Sequence, residues 1–242
     1  MTRSKLSRSA IGAALGTAVA ISMSMVTFTP VFAETLPPQI TWTNPIADGA
    51  TFTYGAVPAA PTCTATAADP AVVLKCDVDG YSVEVGQHTL TPMVSTQLPD
   101  LTWGAPEAVT TAATSYTVEA WKLKGFYSPV KNGKITRKAG STIPFKFKVY
   151  VDGVKEKDKA VVASFLAQPV DCTTLVAQGA PLPVTSTHKG FRLKYRDGAF
   201  HQNWKVPAVK AKGSTKKLAK PCYDVRMTTQ DGSFLQAFVT VR

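Results

Sequence analysis

Histidine is scarce in this chain. The three present, His88, His188 and His201, never stand four residues apart, so a zinc pair on one helical turn is excluded. No Gly-x-Ser-x-Gly elbow occurs, which removes the common serine-hydrolase signature. Cysteine is limited to four residues with no Cys-x-x-Cys spacing, an arrangement that argues against a structural zinc site. Past the first 33 residues there is no sustained helical periodicity and no second apolar run of bilayer-spanning length. Charge is missing in a polarised way. Between Glu34 and Trp121 the only cation is Lys75, against nine carboxylates, a net −8. From Lys122 to Arg242 only seven Asp and Glu oppose 23 Lys and Arg, a net +16. The overall +11 therefore hides two opposed blocks. Such asymmetry points to a polyanionic partner for the second half, to attraction between halves, or to a solvated surface.

What is present begins with a leader. Arg3, Lys5 and Arg8 precede an apolar run from Ala10 to Val26, and Val31-Phe32-Ala33 supplies a small-residue end. That order is expected of a secretory signal peptide, residues 1–33, cleaved after Ala33; the competing expectation is an uncleaved membrane anchor. The last residues, Phe238 to Arg242, carry no apolar tail, and the mature protein is expected to be soluble outside the membrane. Export places the cysteines in an oxidising compartment. Four cysteines allow three connectivities; an even count in each half favours Cys63 with Cys76 and Cys172 with Cys222.

Short runs rich in Thr, Val and aromatics recur in the first half: QITWT from Gln39, ATFTY from Ala50, PTCTATA from Pro61, VVLKC from Val72, GYSVEV from Gly80, HTLTPMV from His88 and SYTVEAW from Ser115. Their spacing suits a small antiparallel sandwich. Residues 95–114 form a long Thr-, Ala- and Pro-rich loop, expected to be a mobile flap or a recognition loop. Asp77-Val78-Asp79-Gly80 lacks the remaining calcium ligands and is expected to be a hairpin turn. In the second half Asp-Gly pairs at 152–153, 197–198 and 231–232 predict two-residue hairpin loops. A loop at Asp197-Gly198 sets Tyr195 opposite Phe200, Leu193 opposite Gln202 and Phe191 opposite Trp204. The other face then receives Arg192, Lys194, Arg196, His201 and Lys205. In PFKFKVYV, Phe145, Phe147, Val149 and Val151 share one side and Lys146, Lys148 and Tyr150 the other, as in a half-buried strand.

The segments LKGFYSPV from Leu123, KAGSTIPFKFKVYVDG from Lys138, LKYRDGAFHQNWKVP from Leu193 and CYDVRMTTQDGS from Cys222 together resemble the PxKF domain of secreted actinobacterial proteins. The naming motif falls on Pro144, Lys146 and Phe147. The upstream half is similar to the bacterial immunoglobulin-like repeats that often precede such a domain. The resemblance implies an all-β chain of two consecutive antiparallel β-sandwich (immunoglobulin-like) domains, residues 34–121 and 122–242. It carries no activity or ligand to particular residues.

The expected function is non-enzymatic. The second half would be a surface or secreted adhesion module that associates with anionic envelope polymers, or with another surface protein, through Lys146, Lys148, Arg192, Lys194, Arg196, Lys216 and Lys217. The last two belong to the lysine-rich segment 210–220, for which a solubilising role is the plainer expectation. No catalytic residue, cofactor, metal or nucleic-acid partner is expected. Two alternatives remain: a glycan-active enzyme using Asp100 and Glu107 beside Trp103, for which two carboxyl groups must be held about 5–10 Å apart, and a self-assembling structural protein whose acidic and basic halves pair between copies. Mass spectrometry of the secreted protein is expected to find a mature chain beginning at Glu34; a chain that retains the first 33 residues in a membrane fraction contradicts the leader assignment.

Overall fold

The computed structural model describes residues 36–184, 192–207 and 221–242. The expected leader, His188, Phe191 and the segment with Lys216 and Lys217 lie outside the described residues. Seven strands occupy the first half: β1 (Gln39–Thr43), β2 (Ala50–Thr53), β3 (Thr62–Thr66), β4 (Leu74–Asp79), β5 (Gly86–Thr96), β6 (Glu107–Ala108) and β7 (Thr114–Glu119). Among the described residues ten lie in the second: β8 (Lys122–Gly125), β9 (Lys134–Arg137), β10 (Thr142–Val151), β11 (Val154–Lys155), β12 (Val162–Val170), β13 (Leu182–Pro183), β14 (Lys194–Arg196), β15 (Ala199–Lys205), β16 (Cys222–Thr229) and β17 (Phe234–Val241). Among the described residues the only helical pieces are two single 3-10 turns, Thr110–Ala112 and Lys159–Val161. The fold is all-β, as the period-two runs predict.

Each half is a sandwich of two sheets. In the first, β1 pairs with β3, and this small sheet faces a second of order β2-β7-β5-β4 with β6 added on β5. In the second, a sheet of order β11-β10-β15-β14, with β8 on β10, faces a sheet of order β13-β12-β16-β17-β9. Among the described residues no strand of one half pairs with a strand of the other. Pairing is antiparallel except that β2 runs parallel to β7, and β9 parallel to β17. In each half an early strand thus closes the sheet against the last one, which a chain of simple hairpins does not do.

The two cores differ in size. Ile46, Leu90, Tyr116 and Val118 are the buried centre of the first half, with Trp42, Phe52 and Tyr81 packed around them. The second core gathers Ile143, Phe145, Phe147, Val149, Phe165, Phe200, Trp204, Tyr223, Val225, Met227 and Val239, among others. Its aromatic centre is continuous. Phe147 stacks on Phe200 at 5.2 Å between centroids, and Phe126 lies 4.8 Å from Phe145 and 5.8 Å from Phe165. Phe145 and Phe147 are 0% exposed, so the alternation in PFKFKVYV is the alternation of core and solvent.

Pro144 is accommodated by the position of its edge. Residues 142–147 of β10 pair with β15 on one side; on the other, β8 reaches only Phe147 to Tyr150. The Lys146 carbonyl accepts from the Tyr127 N–H on that second side. Residues two apart in a strand direct their backbone polar groups to the same edge, so the N–H that Pro144 lacks would have faced an edge with no strand partner. Gly125 meets the opposite constraint. It ends β8 at φ +122°, and a methyl group there would stand 2.8 Å from the Lys146 carbonyl oxygen and 3.0 Å from the Phe147 Cα.

Both disulfides close within a half, Cys63 to Cys76 and Cys172 to Cys222. They join residues 13 and 50 apart, which on the chain-entropy estimate restricts the unfolded chain by about 3 and about 4 kcal/mol.

Several local expectations are corrected. GYSVEV is a loop, because the Tyr116 hydroxyl takes its backbone: it accepts from the Ser82 N–H at 2.9 Å and donates to the Ser82 carbonyl at 2.6 Å. Asp77 to Asp79 are strand, paired with Met93 to Thr91, and the chain turns only at Gly80, where φ is +81° and a side chain would overlap the Thr89 carbonyl oxygen. The loop 95–114 folds back on its own strand: Gln97 bridges Trp103, and β6 returns beside Met93 and Val94. At Asp152-Gly153 and Asp197-Gly198 both turn residues have positive φ and the loops hold two residues, as predicted. Asp231-Gly232 departs from this. Only Gly232 has positive φ, and the loop is longer because the Asp231 carboxylate accepts from the Thr229 and Ser233 hydroxyls and from the Trp121 N–H at 2.6 Å.

Phe147→Ala is expected to cost about 3–5 kcal/mol of stability in urea unfolding, whereas Lys148→Gln stays within about 0.5 kcal/mol. Equal losses would contradict the assignment of faces.

Candidate functional site

The candidate site is the outer face of the sheet built on β10, and its composition is set by register. Directly opposed residues of an antiparallel pair point to the same side. With Phe145, Phe147 and Val149 turned into the core, Lys146, Lys148 and Tyr150 turn out. His201 of β15 lies opposite Lys146 on one side and Lys194 of β14 on the other, and Arg196 is two residues from Lys194 on the same face. Lys124 and Lys122 of β8 stand opposite Lys148 and Tyr150, and Lys155 of β11 stands opposite Tyr150. Lys205 shares the parity of His201. The topology therefore joins cations from β8, β10, β11, β14 and β15 on one surface.

Of the sequence-derived candidates, Lys146, Lys148, Lys194 and Arg196 are brought together here. Arg192 is exposed just before β14, and Lys216 and Lys217 lie outside the described residues. Lys122 and Lys124 were missed by sequence reasoning, although Lys122-Leu123-Lys124 carries the same alternation as β10; only the pairing of β8 with β10 places them. Two tyrosines join the surface. The Lys124 ammonium lies 5.2 Å from the centre of the Tyr150 ring, and that of Lys148 5.5 Å from Tyr127. Each ring supplies weak cation–π attraction and orients a stem without neutralising its charge.

No carboxylate forms an ion pair with this surface among the described residues, although Asp197, in the turn between β14 and β15, acts on His201 in the opposite sense to the cations. Among the described residues the ion pair within 4 Å is Lys75 with Asp77, in the first half. Among those same residues Lys122, Lys124, Lys146, Lys148, Lys194 and Arg196 have none. Two like charges about 6 Å apart in a water-like medium repel by about 0.7 kcal/mol, small for one pair but cumulative over a grid. His201 registers the field. Its pKa is lowered from the ordinary 6.5, first by burial and then by the charges of Arg196 and Lys146.

The acidic loop is arranged differently. Asp100 accepts from the Thr102 hydroxyl at 2.6 Å and the Thr102 N–H at 3.0 Å, and these bonds hold its carboxyl below the ordinary value of 3.8. An ionised, turn-capping carboxylate is the reverse of what a general acid needs. Glu107 is exposed on β6, and Trp103 is 45% exposed. Among the described residues no group of three or more His, Cys, Asp or Glu is placed to hold a metal ion, and no helix is long and apolar enough to cross a membrane.

No protein-family model matches the chain, and no curated protein matches it. Solved structures that resemble it include the fibronectin(III)-like modules of CbhA from Clostridium thermocellum, at 12% identity and TM-score 0.27 over 84% of this chain and 93% of that one. Tandem Ig domains of titin give 13% identity and TM-score 0.25 over 84% and 96%. A Bacteroides ovatus protein of a mixed-linkage glucan utilization locus, solved with a heptasaccharide, gives 13% and TM-score 0.22 over 85% of this chain and 47% of that one. These are loose likenesses among β-sandwich chains, and no ligand can be taken from them.

The His201 titration, followed by NMR, is expected to have its midpoint below 6.5 and to move upward in Lys146→Gln. A folded-state pKa below the unfolded one means that the neutral form is preferred. The corresponding stability is complete above about pH 6.5 and is lost as pH falls through the folded value. A midpoint at or above 6.5 would contradict the cationic surroundings.

Proposed function

We propose that this protein is a non-enzymatic binding module of the cell exterior, and that the outer face of the β10 sheet holds it to anionic envelope polymers carrying phosphate or carboxylate. The supporting observation is the meeting of Lys122, Lys124, Lys146, Lys148, Lys194 and Arg196 on one face with no carboxylate within 4 Å among the described residues. A structural role for these cations is poorly supported, because surface charges without partners add little to stability and here repel one another. Binding of a polyanion relieves that repulsion and releases the polymer's counterions.

The leader expected from the first 33 residues and the two disulfides support an exterior location. A division into an immunoglobulin-like module, 34–121, and a PxKF-like module, 122–242, belongs to the same proposal. The acidic first half would point away from an anionic polymer and keep the basic face oriented toward it. A glycan-cleaving role is disfavoured by Asp100, whose hydrogen bonds favour the charged form.

Retention of the mature protein on purified wall material, or on an anionic polymer matrix, is expected to weaken steadily as salt rises. The variant Lys146→Gln, Lys148→Gln, Lys194→Gln, Arg196→Gln should elute at lower salt, with a shallower slope of log affinity against log salt. Lys75→Gln, in the first half, should change neither. Salt-independent retention, or equal retention of the quadruple variant, would overturn the proposal; salt-dependent self-association seen by sedimentation would favour pairing between copies instead.

A further inference from the structure

Three polar side chains stand in one line across the basic face. Lys194 on β14 is opposite His201 on β15, and His201 is opposite Lys146 on β10. Neighbouring strands are about 5 Å apart, so the imidazole lies between two lysine stems. The groups that bear on it are Lys194, Arg196 and the turn residue Asp197 from β14, Lys146 from β10, and Asn203 and Lys205 along its own strand. His201 is partly buried, whereas Lys194 and Arg196 are exposed.

We propose that the row Lys194, His201 and Lys146 is a proton-linked subsite for a permanently ionised phosphate group of the polymer, and that His201 takes up one proton when that group binds. This deepens the polymer-binding proposal and rests on it. The proton comes from bulk water, and no bond but the imidazole N–H is made.

The physical reason is mutual. In the free protein, protonating His201 adds a fourth cation beside Lys146, Lys194 and Arg196, which partial burial and the charges of Arg196 and Lys146 oppose more than Asp197 favours it. A phosphate seated on the two lysines reverses the sign of the local potential and makes the imidazolium favourable. By linkage the reverse holds: a more protonated His201 binds the anion more tightly, about tenfold for each unit by which the bound pKa exceeds the free one. Phosphate is favoured over carboxylate as the partner. A carboxylate begins to lose its own charge near about pH 4 to 5 and cancels part of the gain, whereas an internal phosphate of a polymer stays ionised throughout. The arrangement retains weak binding at neutral pH and tightens it in an acidified envelope.

Long-chain inorganic polyphosphate and the mature full-length chain test this. Affinity measured at about pH 7.5 and about pH 5.5 is expected to rise by about threefold to tenfold toward acid in the wild type. His201→Gln should show no such rise between the two pH values. In the wild-type protein alone, the His201 NMR midpoint should move upward on saturation with polyphosphate, a measurement that does not depend on a variant folding. An unmoved midpoint, or the same acid-dependent gain in His201→Gln, overturns the subsite while leaving the basic face intact. Absence of polyphosphate binding by the wild type at both pH values overturns the face itself.

Discussion

The packing of Phe145 and Phe147 against Phe126, Phe165 and Phe200 is the constraint on which the second half of the molecule depends. Burial of aromatic side chains of this size is worth a few kcal/mol each, and it sets which side of β10 faces inward. A slip of one residue would bury Lys146 and Lys148 and expose both phenylalanines, so register is held by an energy far larger than any surface charge effect. Placement of the lysines is therefore a consequence of the core. Each strand added to β10 inherits the same phase: Phe200 opposite Phe147, Ile143 opposite Trp204, and with them the outward row of His201, Lys194 and the β8 lysines. The basic face is the outer surface of a well-packed inner one.

The first half has less to hold it. Four fully buried residues form its centre, and other interactions take up what a larger core would supply. The Tyr116 hydroxyl secures the Gly80–Val85 loop through Ser82, Asp48 caps the start of β7 by accepting from the Ser115 N–H and hydroxyl, and the Cys63–Cys76 bridge ties β3 to β4. Trp121 joins this half to the second. Its indole N–H donates to the Tyr54 carbonyl and its ring meets Tyr54 edge-on at 5.6 Å, while its backbone N–H donates to Asp231. Asp231 is buried and satisfied by hydroxyls and N–H groups, which is how a carboxylate is tolerated at 6% exposure.

Opposed charge in the two halves and hydrogen-bonded acids in the first give the molecule a polarity that neither core requires. Asp48 and Asp100 there, and Asp171 in the second half, each cap a turn or strand start, and each is held below the ordinary carboxylate value by the donors it accepts from. These acidic residues thus serve local structure. Cations of the β10 face are different: Tyr127 and Tyr150 orient two of them, and the six have no ion-pair partner among the described residues. The proposed polymer binding rests on this surface, assembled from five strands.

Period-two alternation, Asp-Gly pairs and the even division of cysteines carried most of the architecture. The strands from Gln39 to Thr43, from Thr142 to Val151 and around Asp197-Gly198 and the inward phenylalanines arise from local stereochemistry or from the avoidance of buried charge, and both disulfide pairings follow the even count of cysteines in each half. Where sequence-level expectation failed, a distant group had intervened: the Tyr116 hydroxyl drew GYSVEV out of any ladder, and Asp231 lengthened a hairpin in order to hold Trp121. The basic face lies between these cases. The sequence determined that Lys146, Lys148, Lys194 and Arg196 point outward, because alternation within one strand is a local property. Their convergence, and the addition of Lys122 and Lys124, were decided only by strand pairing between segments distant in the chain, since non-local hydrogen bonding is selected by how whole faces fit together and leaves no local mark in the chain.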